Sequence, residues 1–263
     1  MSRLIRRKGG VGRIMASQAD FAFAPVNKGC GEQKLKPTCT NAAVIIPTLN
    51  EEKNIIEVIE KLRHLGFTNI LVVDGNSKDR TAAIAKKLGV HVITQNGSGK
   101  GDALRQAFSY YGLNGDPIVM MDADGSMNPE ELFRLIETIQ QGADLAKGSR
   151  FIRGGYTKDM TLIRRIGNSL FVLLVNLIWS THYTDLCYGF AAFKREAIEK
   201  LYPHLKSRNF EIETEIFIKA KTLGLRVVEV PSVELPRRHG KSNLKAYKDG
   251  FKILRTVLDA FMN

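Results

Sequence analysis

The sequence is poor in cysteine, in acidic residues and in long apolar runs, and each shortage argues against a class of protein. Three cysteines (Cys30, Cys39 and Cys187) are an odd number without C-x-x-C spacing, which speaks against a disulfide framework or a zinc ribbon and fits a reducing cytosol. Five histidines are scattered and no H-E-x-x-H occurs, so the metalloprotease pattern is absent. The longest apolar stretch, residues 170–179, holds ten residues including Asn176, short of the roughly 20 that a bilayer span needs. No transmembrane span is expected from it. The first nineteen residues contain four arginines and no acid, and run into Gly9-Gly10 rather than an apolar core. That is no secretory signal, and residues 1–41 read as a basic, disordered tail or a transit peptide.

What the chain has is positive charge and a core. Its 263 residues carry 39 Lys/Arg against 27 Asp/Glu, a net charge of +12, with 44% hydrophobic content. An acidic partner is implied: a nucleotide, a phospholipid surface or a nucleic acid. The charge is uneven. Residues 1–40 hold eight basic residues against Asp20 and Glu32, and residues 237–255 hold seven against Asp249. No nucleic-acid-binding motif and no interleaving of aromatic with basic residues appears, so nucleic acid is not expected as a partner.

From residue 42 a regular alternation begins. Short apolar runs at 43–46, 70–73, 90–94, 117–121 and 143–147 read as strands, and the segments 55–65, 81–88, 102–111 and 129–141 keep helical spacing. Asn128 is placed to cap the fourth of these helices, with Pro129 in its first turn. Strands alternating with helices through short links predict an α/β fold, a mostly parallel central sheet with helices on both faces. After Arg150 the pattern changes to a long apolar helix (162–180), a strand (189–193), helices at 195–202 and 211–223, a strand (226–230) and a basic helix from Leu244. One continuous domain over 42–263 is expected, a nucleotide half to about residue 150 and an acceptor half after it.

Asp122 and Asp124 flank one alanine just after a buried-looking strand. In extended chain, residues two apart point the same way, so the two carboxylates converge beyond the strand end, where open α/β sheets bind ligands. Oxygen ligands with no His or Cys nearby suit Mg2+ or Mn2+ held together with substrate phosphates. An ordinary turn is the competing reading of Asp124 to Asn128.

Three further strand ends carry polar residues: Pro47-Thr-Leu-Asn-Glu51, Asp74-Gly-Asn-Ser-Lys-Asp-Arg-Thr81 and Gly97-Ser-Gly-Lys-Gly101. The last lacks the Walker spacing. Taken in this order with Asp122-Ala-Asp124, and continued through "AKGSRF", "RRIGNSLFVLLVNLIW", "TDLCYGFAAFKRE", "FEIETEI" and "RRHGKSNL", they resemble the family 2 glycosyltransferases of GT-A fold. The nearest group is the dolichyl-phosphate mannose synthases and other polyprenyl-phosphate sugar transferases. The resemblance covers most of residues 43–255.

The resemblance implies a metal-dependent, inverting transfer of a sugar from a GDP- or UDP-sugar to polyprenyl or dolichyl phosphate at the cytoplasmic membrane face. Asp122 and Asp124 would hold the metal on the diphosphate. Pro47, Asn50 and Glu51 would line the base and ribose, and Asp74 would hydrogen-bond the base. Arg150 would meet phosphate near the sugar, and Arg164 would grip the lipid phosphate, a role suited to a bidentate guanidinium. Arg237 and Ser242 match a loop of the form R-x-x-G-x-S-K, with Asn243 in place of its lysine. Ser126 stands where the mannose synthases have a metal-assisting glutamine, and Gly75 where the family often has a second aspartate.

Lys100 is a loop-positioning or phosphate-facing charge, and the glycines around it would let the backbone approach the nucleotide or the Asp122–Asp124 loop. Asp185 and Glu213 are the carboxylates of the acceptor half: Asp185 would orient the acceptor, and Glu213 is a base or a helix-face carboxylate. A hydroxyl acceptor needs a base, whereas a phosphate acceptor is already an anion. Glu211, Glu213 and Glu215 cannot share one helical face, so at least one is expected to be solvated surface. Arg164 and Arg165 precede an apolar block, a pattern that suits either an interfacial membrane helix or a core helix. The basic C-terminal segment adds attraction to anionic lipid, and the two together favour peripheral membrane contact. The competing functions are the same fold acting on a soluble hydroxyl acceptor, a nucleotidyltransferase, and a non-catalytic basic protein that binds membrane or nucleic acid.

Overall fold

The structure, a computed structural model, describes residues 41–110 and 113–262. The expected tail, with Cys30 and Cys39, lies outside the described residues apart from Asn41.

The first strand, β1 (Ala43–Thr48), is fully apolar over its first four residues and buried on both faces, as a central strand of a parallel sheet must be. It pairs in parallel with β2 (Asn69–Asp74) on one side and β4 (Ile118–Met120) on the other, and β2 pairs in parallel with β3 (His91–Thr94). The intervening helices are α1 (Ile55–His64), α2 (Thr81–Lys87) and α3 (Lys100–Phe108). In α1, Ile55, Val58, Ile59 and Leu62 are buried, the spacing of one face. The segment after β4 opens with a 3-10 turn, Pro129–Glu131, that continues into α4 (Leu132–Gln140). The Asn128 side chain caps that turn by accepting from Glu130 N.

The second half completes the same sheet. β5 (Leu145–Ser149) pairs in parallel with β8 (Val227–Pro231), while β7 (Ala191–Phe193) lies antiparallel between β4 and β5. The resulting order is β3-β2-β1-β4-β7-β5-β8. The sheet is mostly parallel, with one reversed strand at its middle. Two short strands escape a period-based reading, β6 (Tyr156–Thr157) and β9 (Val233–Glu234), which form a separate parallel pair. Apolar side chains on the two faces of the sheet make two core clusters.

The remaining helices are α5 (Leu162–Trp179), α6 (Arg195–Leu201), α7 (Glu211–Thr222) and α8 (Ala246–Met262). α7 is walled in on all sides, so the expectation of a solvated glutamate on it is overturned: Glu211, Glu213 and Glu215 are all buried. They point in different directions, yet each finds polar partners. Glu211 accepts from Arg208 N and Asn209 N, Glu215 accepts from Lys206 N and Ser207 N, and Glu213 meets a lysine described below.

α5 differs in the other direction. Only Asn168, Phe171 and Val175 on it are buried, and Leu162, Ile163, Ile166, Leu170, Leu173 and Leu177 are exposed. At 18 residues and mean hydropathy 1.4 it is, among the described residues, the one helix long and apolar enough to cross a membrane by length and composition. The ten-residue run read from the sequence understated it, because Leu162, Ile163 and Ile166 extend the apolar surface past the charged Arg164-Arg165 pair. Beside α5 lies α8, whose Tyr247, Phe251, Leu258 and Phe261 are also exposed.

Candidate active site

Since β4, β5 and β8 run with β1, the C-terminal ends of six strands meet at one edge of the sheet, joined there by the N-terminal end of β7. The strand order turns around β1, whose neighbours are β2 and β4, and the crevice outside such a switch point is where open sheets bind ligands. A cavity of about 450 Å³ opens at that place. Its walls contain Pro47 near the end of β1, Glu51 from the loop after it, Asp122 and Asp124 after β4, Arg150 after β5, and Lys100 at the start of α3. Glu213 of α7, Arg164 of α5, and Arg237 and Ser242 of the loop before α8 line it as well. Residues far apart in sequence and singled out from it therefore share one cavity.

Three of the expected residues do not line the cavity. The Asn50 Oδ1 accepts from Lys78 N, and Asn50 N donates to Ser77 Oγ, which ties the loop after β1 to the loop after β2. Asp74 is buried and accepts from Ser77 N at 3.1 Å through Oδ2, while its Oδ1 has no partner. Asp185 is wholly buried and locked onto Arg150, whose Nε and Nη2 donate to its two oxygens at 2.7 and 2.9 Å.

Arg150 itself is saturated. Besides Asp185 it donates through Nη1 to both oxygens of Glu234, each at 3.1 Å, and through Nη2 to the Cys187 carbonyl at 2.8 Å. Its guanidinium also lies 4.5 Å from the Tyr188 ring centre. All five N–H donors of the fork are spent on protein. Burial would lower the Arg150 pKa, but Asp185 and Glu234 outweigh it and raise it. Burial likewise pushes the Asp185 carboxyl up, and the Arg150 guanidinium more than reverses that, holding it below the usual carboxylate range. The pair therefore stays ionised and fixes the wall of the cavity.

Asp122 and Asp124 do project into one space and suit a hard cation. Asp124 fixes its own turn by accepting from Ser126 N at 3.0 Å through Oδ1, which leaves Oδ2 to the cavity. Each carboxylate already draws a positive group. Lys100 Nζ is 2.5 Å from Asp122 Oδ1, and Arg237 Nη2 is 3.3 Å from Asp124 Oδ2. Among the described residues no group of three or more His, Cys, Asp or Glu side chains is placed to enclose a metal. Two carboxylates alone would hold a divalent ion whose remaining ligands come from water and substrate phosphate, the coordination habit of Mg2+.

The Lys100 ammonium is held on two sides, at 2.5 Å from Asp122 and 2.6 Å from Glu213 Oε1. Burial alone would lower its pKa, but the two carboxylates win and raise it. Burial drives the Asp122 and Glu213 carboxyls upward against the pull of Lys100. The glycines beside Lys100 are also needed for a close approach within the protein. A Cβ on Gly99 would lie 2.5 Å from the Arg208 carbonyl, and one on Gly101 2.4 Å from the Ser207 carbonyl. They let α3 start against the 207–209 segment.

At the far end of the cavity Arg164 Nη2 donates to Ser242 Oγ at 3.3 Å and to the Leu244 carbonyl at 3.2 Å. Lys245, Lys248 and Lys252 line the same end, as do Gly167 and Phe171 of α5 and Gly250 and Ile253 of α8. The sequence reading takes Tyr188 for a core or interface residue and does not reach Gln95, Gly189 or Glu234, and all four also line the cavity. A run of hydrophobicity carries no signal for them, because their placement depends on which strands become neighbours.

The model of glycosyl transferase family 2 matches residues 43–202. Glycosyltransferase AglJ of Haloferax volcanii is 34% identical over 217 residues, 81% of this chain and 70% of that protein. A polyprenol monophosphomannose synthase of Mycolicibacterium smegmatis is 33% identical over 229 residues, 82% and 86% of the two chains. Among solved structures, glucosyl-3-phosphoglycerate synthase from Mycobacterium tuberculosis, in complex with Mn2+, UDP and glucosyl-3-phosphoglycerate, superposes with a TM-score of 0.67 at 21% identity, covering 86% of this chain and 81% of that one. That likeness establishes the GT-A fold. With the match across more than half its length, the chain belongs to glycosyl transferase family 2 and is a glycosyltransferase.

Proposed function

We propose that this glycosyltransferase moves a sugar, with inversion, from a nucleotide-sugar donor to a polyprenyl phosphate at the cytoplasmic face of a membrane, using Mg2+ or Mn2+ bound at Asp122 and Asp124. The observation that carries this reading is the continuity of the cavity. It runs from the two aspartates to a basic end at Arg164, Lys245, Lys248 and Lys252, set between α5 and α8, whose outer surfaces are apolar and exposed. A phosphate carried on an isoprenoid chain needs cations for its head and an apolar surface for its tail. The relatives whose names specify an acceptor point the same way: besides the polyprenol monophosphomannose synthase they include a dolichyl-phosphate hexose transferase of Haloferax volcanii.

In this reading the sugar diphosphate lies over Asp122 and Asp124, with Arg237 close to the oxygens that become the leaving group. A bound divalent ion would neutralise charge building on that diphosphate. Arg164, backed by Ser242, would hold the acceptor phosphate, whose oxygen attacks the anomeric carbon from the face opposite the leaving diphosphate. The acceptor is already an anion, so no general base is required. That agrees with the carboxylates available: Asp185 is closed off behind Arg150 and Glu213 is occupied by Lys100. A soluble hydroxyl acceptor would ask one of these two to abstract a proton from its paired state.

α5 and α8 supply the membrane contact. Charged residues on α8 beside exposed Tyr247, Phe251 and Phe261 suit an interface, where each basic residue contributes about 1 kcal/mol on anionic lipid. The inward packing of Asn168, Phe171 and Val175 favours α5 lying on the bilayer over crossing it.

The test is thermal stabilisation by GDP- and UDP-sugars with and without Mn2+, followed by transfer to polyprenyl phosphate in vesicles. Stabilisation by one nucleotide that needs Mn2+ and is lost in Asp122→Ala, with transfer to the lipid but not to a soluble hydroxyl, supports the reading. Donor binding with transfer only to a soluble acceptor overturns it.

A further inference from the structure

Each aspartate of the pair shares one of the protein's own cations with a second carboxylate. Lys100 sits between Asp122 Oδ1 at 2.5 Å and Glu213 Oε1 at 2.6 Å. Arg237 sits between Asp124 Oδ2, 3.3 Å from Nη2, and Glu51 Oε1, 2.7 Å from Nη1. The four partners come from different places: the start of α3, the first turn of α7, the loop after β9 and the loop after β1. Glu213 and Glu51 are both buried, where a carboxylate without a partner costs several kcal/mol. The structure also makes room for the first bridge. A Cβ on Gly189 would stand 2.3 Å from Lys100 Nζ and 2.7 Å from Glu213 Oε1, so a side chain at position 189 would push the bridge out of its present place.

A lysine needed only to order its loop would be satisfied by one carboxylate. Here the ammonium is held at the point where a metal ligand and a second, inner carboxylate can both reach it. The charges also match: two single positive charges rest on the aspartates, and one divalent cation carries the same total. In a half-buried site, where an uncompensated charge is expensive, each aspartate then has a positive partner both before and after the exchange.

We propose that Lys100 and Arg237 are resident counter-cations of Asp122 and Asp124 that exchange with the metal–nucleotide, and that Glu213 and Glu51 are positioning carboxylates that receive them. The proposal rests on the reading of Asp122 and Asp124 as metal ligands. It gives Glu213 a part distinct from that of a base: it keeps Lys100 charged and nearby once Asp122 has let go. Glu51 does the same for Arg237, which then stays within reach of the diphosphate rather than swinging out with its loop.

The test is Mn2+ binding, read from the free-ion electron paramagnetic resonance signal during titration of the whole protein with GDP or UDP present, whichever stabilises it. Lys100→Met removes the competitor at Asp122, so the Mn2+ midpoint should fall about tenfold, equivalent to about 1.4 kcal/mol. Glu213→Gln and Glu51→Gln leave each cation with an aspartate as its only carboxylate, so the midpoint should rise by about the same factor. Movement in opposite directions is the signature, because damage to folding or removal of a base does not tighten metal binding in one variant and weaken it in the others. The two isosteric Glu→Gln changes keep the test usable if Lys100→Met fails to fold, as circular dichroism would reveal. Wild-type binding with an unmoved midpoint in Glu213→Gln and Glu51→Gln overturns the exchange and leaves the transferase reading intact. Absence of Mn2+ binding in the wild type overturns both.

Discussion

Arg150 shows how far a single side chain can depart from what its neighbours in sequence suggest. Its motif points to a phosphate contact, yet its five donors go to Asp185, Glu234 and the Cys187 carbonyl, partners 35 to 84 positions away that no local pattern can nominate. Asp185→Asn should therefore destabilise the protein by about 3 kcal/mol in a urea melt at neutral pH, the cost of leaving one partner of a buried pair alone. The pH dependence has a definite sign. The folded-state pKa of Asp185 is depressed, so its contribution is complete above the unfolded value of about 3.9. It is lost as pH falls through the lower folded value, and the gap between wild type and Asp185→Asn should narrow on acidification below about pH 4. The glutamates of α7 teach the complementary lesson. Helical geometry does keep Glu211, Glu213 and Glu215 off a common face, but it says nothing of how many faces the fold covers. By contrast, Asp122 and Asp124 were legible, because two short carboxylates two residues apart at a strand end leave few other geometries.

At the level of elements, the helices and the parallel strands follow from periodicity and composition, and their bounds differ from the sequence reading by only a few residues. The short strands β6 and β9 and the reversed direction of β7 do not, since two or three residues carry no period and pairing is settled by distant partners. The most consequential elements are α5 and α8, where period alone could not separate a core helix from an interfacial one. Their exposed side chains make a direct test. Leu173→Glu, Leu177→Glu and Phe251→Glu should each weaken sedimentation with anionic vesicles by about tenfold, the order expected when a buried Leu or Phe is removed from an apolar phase. The same changes should leave the melting temperature and donor binding where they are, since these three side chains bury little within the protein itself. A loss of donor binding along with the vesicle contact would mean that these helices belong to the core.

For the molecule as a whole, the net charge of +12 predicts that vesicle binding weakens steeply as salt is raised from about 0.05 to 0.3 M, as screening shortens the reach of surface charge. A residual, salt-insensitive part should survive in the wild type and vanish in Leu173→Glu/Phe251→Glu. The arrangement of β7 has a consequence for how the protein is made. Residues 191–193 must slide between β4 and β5, which leave the ribosome some 70 and some 40 residues earlier. A nascent chain that has just completed β5 thus carries an open hydrogen-bonding edge on β4 and a fifth strand with no neighbour. Such edges recruit other chains, so a fragment ending at residue 150 should form aggregates in size-exclusion chromatography rather than a stable nucleotide-binding half. The strand that closes the gap between β4 and β5 also brings Tyr188 and Gly189 to the cavity, so during synthesis part of the pocket wall and the protection of that edge arrive together.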